Sequence, residues 1–202
     1  MTASPSEARA AAASEVAERF AALAGATSWS ADHGTAKIVV PRRGWVEAHT
    51  VLKEHLPFFS FLSAIDWSAE VAVGEPPRPE AVTGRYEVFT RLSDVDEGKA
   101  VIVSTDLPAD DAAIASLIGV YGGANWHERE AYEMFGIDFV GHPNLIKLYL
   151  PDGFEGHPLR KSFALLSRRV KAWPGTVDVE AMPGGGAGED GPSTENVEGG
   201  DA

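Results

Sequence analysis

The sequence predicts an α+β fold: a two-layer domain with helices on one face of a mixed sheet, followed by an extended C-terminal docking segment. Three observations predict it. Helical apolar stripes and β-rich runs follow one another as helix, strands, helix, strands, helix. Arg85 to Leu92 alternates cleanly, as a half-buried strand does. From Gly136 onward no helical or strand period is sustained, and Gly, Pro and His punctuate short apolar runs. The expected division is therefore a core domain over 1–135, a partner-wrapping segment over 136–173 and a disordered acidic tail over 174–202.

The first helix is marked by Ser4 and Glu7 at capping-box spacing and by Pro5 at its first position. Val16, Phe20, Leu23 and Ala24 form its apolar stripe, and Gly25 stops it. A short strand follows around Lys37 to Val40, ended by Pro41. A second helix carries Trp45, Ala48, Leu52 and Leu56 until Pro57 breaks it. Phe58 to Trp67 is rich in β-favouring residues and predicts a buried strand. Gly74 to Pro79, with three prolines, predicts an exposed loop. In the alternating strand Tyr86, Val88, Thr90 and Leu92 share one side, opposite Arg85, Glu87 and Arg91. After a turn over Asp94 to Gly98, Ala100 to Thr105 reads as the hairpin partner. A helix carrying Ile114, Leu117 and Ile118 is expected after Pro108.

Composition removes several classes of function. The chain has no cysteine, which excludes disulfides, thiolate metal sites, iron–sulfur ligation and cysteine nucleophiles. A formal net charge of −13 argues against nucleic acid, whose binders need a basic footprint. No window approaches the roughly 20 apolar residues that span a bilayer, and the N-terminus lacks the order of a signal peptide, so a cytoplasmic location is expected. Charge is also uneven. After Lys171 there is no basic residue, while Asp178, Glu180, Glu189, Asp190, Glu195, Glu198 and Asp201 carry −7. With eight glycines and three prolines among residues 174–202, that tail is expected to be flexible and dispensable.

The densest signal is Asn125-Trp126-His127-Glu128-Arg129-Glu130-Ala131-Tyr132-Glu133-Met134-Phe135-Gly136. Asn125 and Glu128 have N-cap and third-position spacing, and Gly136 sits where a helix ends. On that helix Glu130 and Glu133 share a face, Arg129 lies one turn from Glu133 and is expected to pair with it, and Glu128 is expected to point away. Downstream stand Gly141-His142-Pro143, Leu148-Tyr149-Leu150-Pro151 and Gly156-His157-Pro158-Leu159-Arg160-Lys161.

Together these motifs closely resemble the NuoC-type subunit of proton-pumping NADH:quinone oxidoreductase, respiratory complex I. The resemblance runs from about Phe58 to Trp173 and is densest from Ala124 to Lys161. It implies a protein without cofactor or catalytic residues of its own. Such a protein docks on the quinone-module subunits of the hydrophilic arm, peripheral to the cytoplasmic face of the cell membrane, and supports electron transfer from NADH to quinone. The motif and interface residues it points to are Glu128, Arg129, Glu130, Glu133, His142, Pro143, Lys147, His157, Pro158, Arg160 and Lys161. The stretch after the first Gly-His-Pro departs from the family pattern of Asp and then two basic residues: this chain has Asn144, Ile146 and Lys147, which puts in doubt any salt bridge assigned to the position of Ile146.

Other readings compete with this one. The same subunit type serves related membrane-bound hydrogenases and other donor:quinone oxidoreductases. His127, Glu130 and Glu133 are of types that bind zinc or iron, as a metallohydrolase would require, yet His-Glu-x-x-His is absent. A free peptide-binding module using the basic C-terminal turns is a third class. The two His-Pro pairs are better explained as similar turns than as ligands. Gly184 to Gly186 lacks the Lys-Ser or Lys-Thr of a phosphate loop, and no Gly-x-Gly-x-x-Gly follows a strand. The stretch Gly136 to Lys161 is expected to be a strap held by the complex and not by its own core, with Arg160 and Lys161 meeting partner carboxylates.

Overall fold

The computed structural model describes residues 4–68, 71–73, 78–80 and 84–163; those through Phe163 belong to one compact unit. The expected tail over 174–202 lies outside the described residues, as do 164–173 of the expected strap and 74–77 of the expected loop.

Helix α1 (Pro5–Ala24) starts with the predicted capping box: Ser4 and Glu7 each bind the other's backbone N–H. It ends at Gly25 in the left-handed conformation. Its buried stripe is Ala13, Ala17, Phe20 and Ala21, so the helix is rotated relative to expectation and Leu23 faces solvent. Strands β1 (Ser28–Asp32) and β2 (Thr35–Val39) form a hairpin through His33 and Gly34, whose φ values of 52° and 73° fit a two-residue turn of mirror-image type. Strand β1 leaves little mark in the sequence because Ser28-Trp29-Ser30 carries little apolar alternation.

Helix α2 (Trp45–Lys53) buries Trp45, Ala48, His49 and Leu52. Strand β3 (Phe58–Asp66) is found as predicted but is buried only in part: it lies at the sheet edge, with Leu62, Ala64 and Asp66 buried and Phe58 and Ile65 exposed. Strands β4 (Val71–Val73) and β5 (Arg78–Glu80) pair antiparallel, so Pro79 belongs to a small ribbon and not to a loop. Strands β6 (Arg85–Asp94) and β7 (Lys99–Pro108) make the predicted hairpin.

The main sheet runs in the order β1-β2-β7-β6-β3. Only the β2–β7 pair in it is parallel, which makes the sheet mixed. Trp45, Phe20 and Leu52, each 0–1% exposed, anchor the core between helices and sheet at about 2 kcal/mol apiece. The expected helix after Pro108 is absent. Ala113–Ala115 is instead strand β8, paired in parallel with β9 (Asp138–Val140), and a turn over 118–120 follows. A partner strand 25 residues away leaves no local mark, while Ile114 and Leu117 are buried as a helix would bury them.

His49 sits wholly inside the core. Its Nδ1 donates to the Trp45 carbonyl at 2.7 Å, which leaves Nε2 to accept from the Thr90 hydroxyl at 2.8 Å. Both nitrogens are satisfied in the neutral ring, and burial lowers its pKa from 6.5 to about 4. The unfolded chain takes up this proton near pH 6.5 and the folded chain only near 4. Stability contributed by neutral His49 is therefore complete above pH 6.5 and falls as pH drops through that window, by about 3 kcal/mol in all. Urea unfolding at pH 7 and 4.5 should show this loss in the native chain and a smaller one in His49→Gln; equal slopes would show that His49 does not carry it.

Candidate functional site

Helix α3 (Ala124–Phe135) follows Gly122 and Gly123, and its N-cap is Gly123 with no side-chain cap, so Asn125 is inside the helix. Ala124, Glu128, Ala131 and Phe135 lie along one inward stripe at positions i, i+4, i+7 and i+11. Glu128 thus points into the domain and is wholly buried. Its carboxylate accepts from the Ser116 hydroxyl at 2.5 Å and the Leu117 N–H at 2.6 Å. It thereby ties α3 to the turn after β8. Burial pushes its pKa up, and these two bonds pull only part of the way back.

Glu133 and Arg129 do not pair with each other. Glu133 is 2% exposed and accepts three backbone N–H groups, from Leu148 (2.8 Å), Tyr149 (2.9 Å) and Leu150 (2.6 Å). Burial alone would raise its pKa, yet the three N–H bonds and the Lys147 charge outweigh it and hold the carboxyl below its ordinary range. Arg129 donates to the carbonyls of Ile146 (3.0 Å) and Lys147 (3.1 Å) and stacks over Trp126. A neighbouring carbonyl or N–H row competes well against an exposed intrahelical ion pair, which contributes only about 0.5 kcal/mol. Because Ile146 contributes its backbone, the departure at that position leaves the Arg129 contact intact.

The chain then returns to the end of α3. A helix leaves its last carbonyls without partners, and here one segment takes them in turn. His157 Nδ1 donates to the Glu133 carbonyl (2.8 Å), the Leu159 N–H to Met134 (3.1 Å), Arg160 Nε to Phe135 (2.5 Å) and Arg160 Nη2 to Gly136 (3.4 Å). Arg160 also brings positive charge to the negative end of the helix dipole and lies over Tyr86. Gly136, at φ 70°, is in the left-handed conformation, and a Cβ there would fall 2.3 Å from Arg160 Nη2.

The remaining motif residues complete the strap. Lys147 Nζ donates to the Phe154 and Asp152 carbonyls. Both Gly-His-Pro turns carry a left-handed glycine, at φ 88° for Gly141 and 94° for Gly156, which accounts for their repetition. His142 Nδ1 accepts from Asn144 N–H, and Pro143 is exposed while Pro158 is half-buried. The Lys161 N–H donates to Asp66 Oδ2 at 2.9 Å, and its ammonium sits over Trp67. Asp66, which also accepts from Ser68 N–H, is a strap anchor that the sequence motifs did not include; Asp-x-Ser is the spacing of a side-chain-closed turn and was the available signal.

Two expectations are corrected by this geometry. The core does not end at Phe135, because Ile137 and Phe139 are 0–1% exposed and β9 pairs with β8. Through Phe163 the strap is held by its own domain, since its polar groups find partners on α3 and at the end of β3. Arg160 in particular donates to the backbone carbonyls of Phe135 and Gly136. His127 stacks edge-on against Phe59, Glu130 is half-exposed and Glu133 is occupied, so the three do not converge; among the described residues no three metal-ligating side chains do. Trp126, Ile146, Tyr149 and Leu159 remain exposed on the clamped unit.

Residues 38–169 match the family described as the respiratory-chain NADH dehydrogenase 30 Kd subunit. The chain is 39% identical to the C 2 subunit of NADH-quinone oxidoreductase of Rhizobium etli, over 70% of this chain and 71% of that protein. It is 38% identical to the corresponding protein of Rhizobium meliloti, over 71% and 74%. To the C/D subunit of NADH-quinone oxidoreductase of Chromohalobacter salexigens it is 40% identical over 48% of this chain, spanning only 16% of that longer protein. Among solved structures, a trypsin-resistant fragment of Nqo5 superposes with TM-score 0.52 at 28% identity, covering 65% of this chain and 98% of the fragment. A chain of an archaeal membrane-bound sulfane sulfur reductase superposes with TM-score 0.58 at 21% identity, over 76% and 86%, a likeness of fold alone.

Proposed function

Because the chain belongs to the family of the 30 kDa subunit of respiratory-chain NADH dehydrogenase, we propose that it is a non-catalytic structural subunit of the peripheral arm of NADH:quinone oxidoreductase. In this role it docks on the quinone-module subunits and supports electron transfer that proceeds through other chains. The C/D relative, whose name joins two subunits in one polypeptide, supports a D-type subunit as the neighbour. Relatives named NADH-quinone oxidoreductase at 38–40% identity favour this complex over a hydrogenase or another donor:quinone oxidoreductase. The location proposed is the cytoplasmic face of the membrane, reached through partners; among the described residues no helix is long and apolar enough to cross it.

The observation that carries the reading is the clamped strap itself. Internal partners hold Glu133, Arg129, His157 and Arg160, so the unit is preorganised, and its surface presents apolar side chains. Trp126 (58% exposed) lies against the Arg129 guanidinium and Ile146 (53% exposed) gives it a backbone carbonyl, with Tyr149 two residues beyond the carbonyl it holds at Lys147. Single exposed apolar residues need no explanation, but several on one rigid unit mark an interface.

The test is the double variant Trp126→Ala, Ile146→Glu. Exposed substitutions should leave urea unfolding of the isolated chain within about 0.5 kcal/mol of native. Recovery of the chain with the complex from native membranes should fall about tenfold, as loss of an interface anchor requires. Undiminished recovery would place the docking face elsewhere.

A further inference from the structure

On the side of α1 that meets the start of β7, the walls are built from small residues. Ala12 and Ala13 on the helix, Gly34 in the β1–β2 turn with Ala36 on β2, and Gly98 before β7 with Ala100 on it leave a groove of about 520 Å³. Close-packed helix–sheet contacts do not leave such space, and the volume falls within the roughly 300–1,000 Å³ of ligand clefts. Phe20 and Val101, both 1% exposed, form its apolar floor.

Charge sets this groove apart from the molecule. The chain carries −13, yet the groove is lined by Arg9, Arg19, Arg91 and Lys99 against Glu15 and Glu97. Lys99 is paired with Glu97, and Arg91 reaches Ser60, which leaves the α1 arginines as its most open cations. Past Phe20 the lining brings in two further carboxylates, Glu54 and Asp94, beside Arg19, His55 and Lys99. None of these residues belongs to the clamp on α3.

We propose that this groove is a second docking site, occupied in the assembly by an extended acidic segment of another subunit. Its carboxylates lie at the Arg9 and Arg19 rim, an apolar side chain enters over Phe20 and Val101, and a basic or uncharged residue follows beside Glu54 and Asp94. Complementary rim charges select the partner and its direction, while the floor supplies apolar contact. The inference rests on membership of a complex but not on the α3 face.

Freedom from cysteine makes the test direct. In the full chain, Ala12→Cys places one thiol on the groove wall, and Glu47→Cys, at an exposed position of α2, is the control. Each is labelled with a photoactivatable maleimide, assembled into the complex, irradiated, and the joined peptides sequenced. The expected result is a cross-link from the thiol at position 12 to an acidic stretch of a different subunit, absent from the control and reduced about tenfold by Arg9→Glu with Arg19→Glu. A cross-link to this chain's own acidic residues 174–202, to a neutral or basic stretch, or to nothing would overturn the proposal. Recovery of the labelled chain with the complex separates the two readings. A chain that assembles without cross-linking defeats the groove, and one that never assembles defeats the proposed function as well.

Discussion

Replacing Glu133 by alanine is expected to destabilise the domain by about 3–5 kcal/mol, a larger loss than any exposed motif residue would give. The reason is the number of donors left behind. Leu148, Tyr149 and Leu150 each direct an N–H at this carboxylate, and each donor abandoned in this partly buried site costs toward the lower end of about 1–3 kcal/mol. Partial entry of water keeps the total below the sum. Glu133→Gln should lose less, because one carbonyl oxygen remains while the amide group opposes a donor. The carboxyl is held below its ordinary pKa of 4.5, so its contribution is present above that value and lost as pH falls through the lower folded one. Native protein should therefore lose stability in acid over a range where Glu133→Ala changes less. Urea unfolding at neutral pH and below pH 4.5, with hydrogen exchange at residues 148–150, measures both. A loss under about 1 kcal/mol, with native exchange there, would mean that water replaces the carboxylate fully.

The same residue shows what could be read from the sequence and what could not. Local signals survived. Ser4 and Glu7 cap α1, Gly25 and Gly136 end their helices in the left-handed form, and the β6–β7 hairpin lies where alternation put it. Each of these depends on neighbours within a few positions. What failed depended on distant chain. Helical spacing paired Glu133 with Arg129, but the partners of Glu128 and Glu133 are Ser116 and Leu117 on one side and residues 148–150 on the other. No spacing rule connects a helix carboxylate with a row of backbone amides 15 residues away. The β8–β9 pair was hidden for the same reason, and Ile114 and Leu117 satisfied a helical pattern while serving a strand and a turn. The strap was expected to need a partner because its apolar runs are short. Its internal attachment is polar, through His157, Arg160 and Asp66, and apolar periodicity does not report polar attachment.

Gly136→Ala is expected to cost about 3 kcal/mol, and Gly25→Ala shows why the backbone is the smaller part of it. Both glycines end a helix in the left-handed conformation, at φ 70° and 62°. An added Cβ at Gly25 meets nothing within 4 Å, so that substitution carries the conformational penalty alone, roughly 1 kcal/mol. At Gly136 the same Cβ would stand 2.3 Å from Arg160 Nη2 and 2.5 Å from His157 Nε2. Neither side chain is free to swing away. Arg160 holds the Phe135 and Gly136 carbonyls and His157 holds that of Glu133, so relief of the clash uncaps the end of α3. Two or three hydrogen bonds at about 1 kcal/mol each make up the difference. Arg160→Ala removes part of the clash and part of the cap together, so in a double variant the two losses should sum to less than their separate values. Unfolding midpoints of the four variants, with hydrogen exchange at residues 157–163, give the comparison. Equal losses for Gly136→Ala and Gly25→Ala, with strict additivity at Arg160, would show that the returning segment yields without resistance and does not clamp the helix.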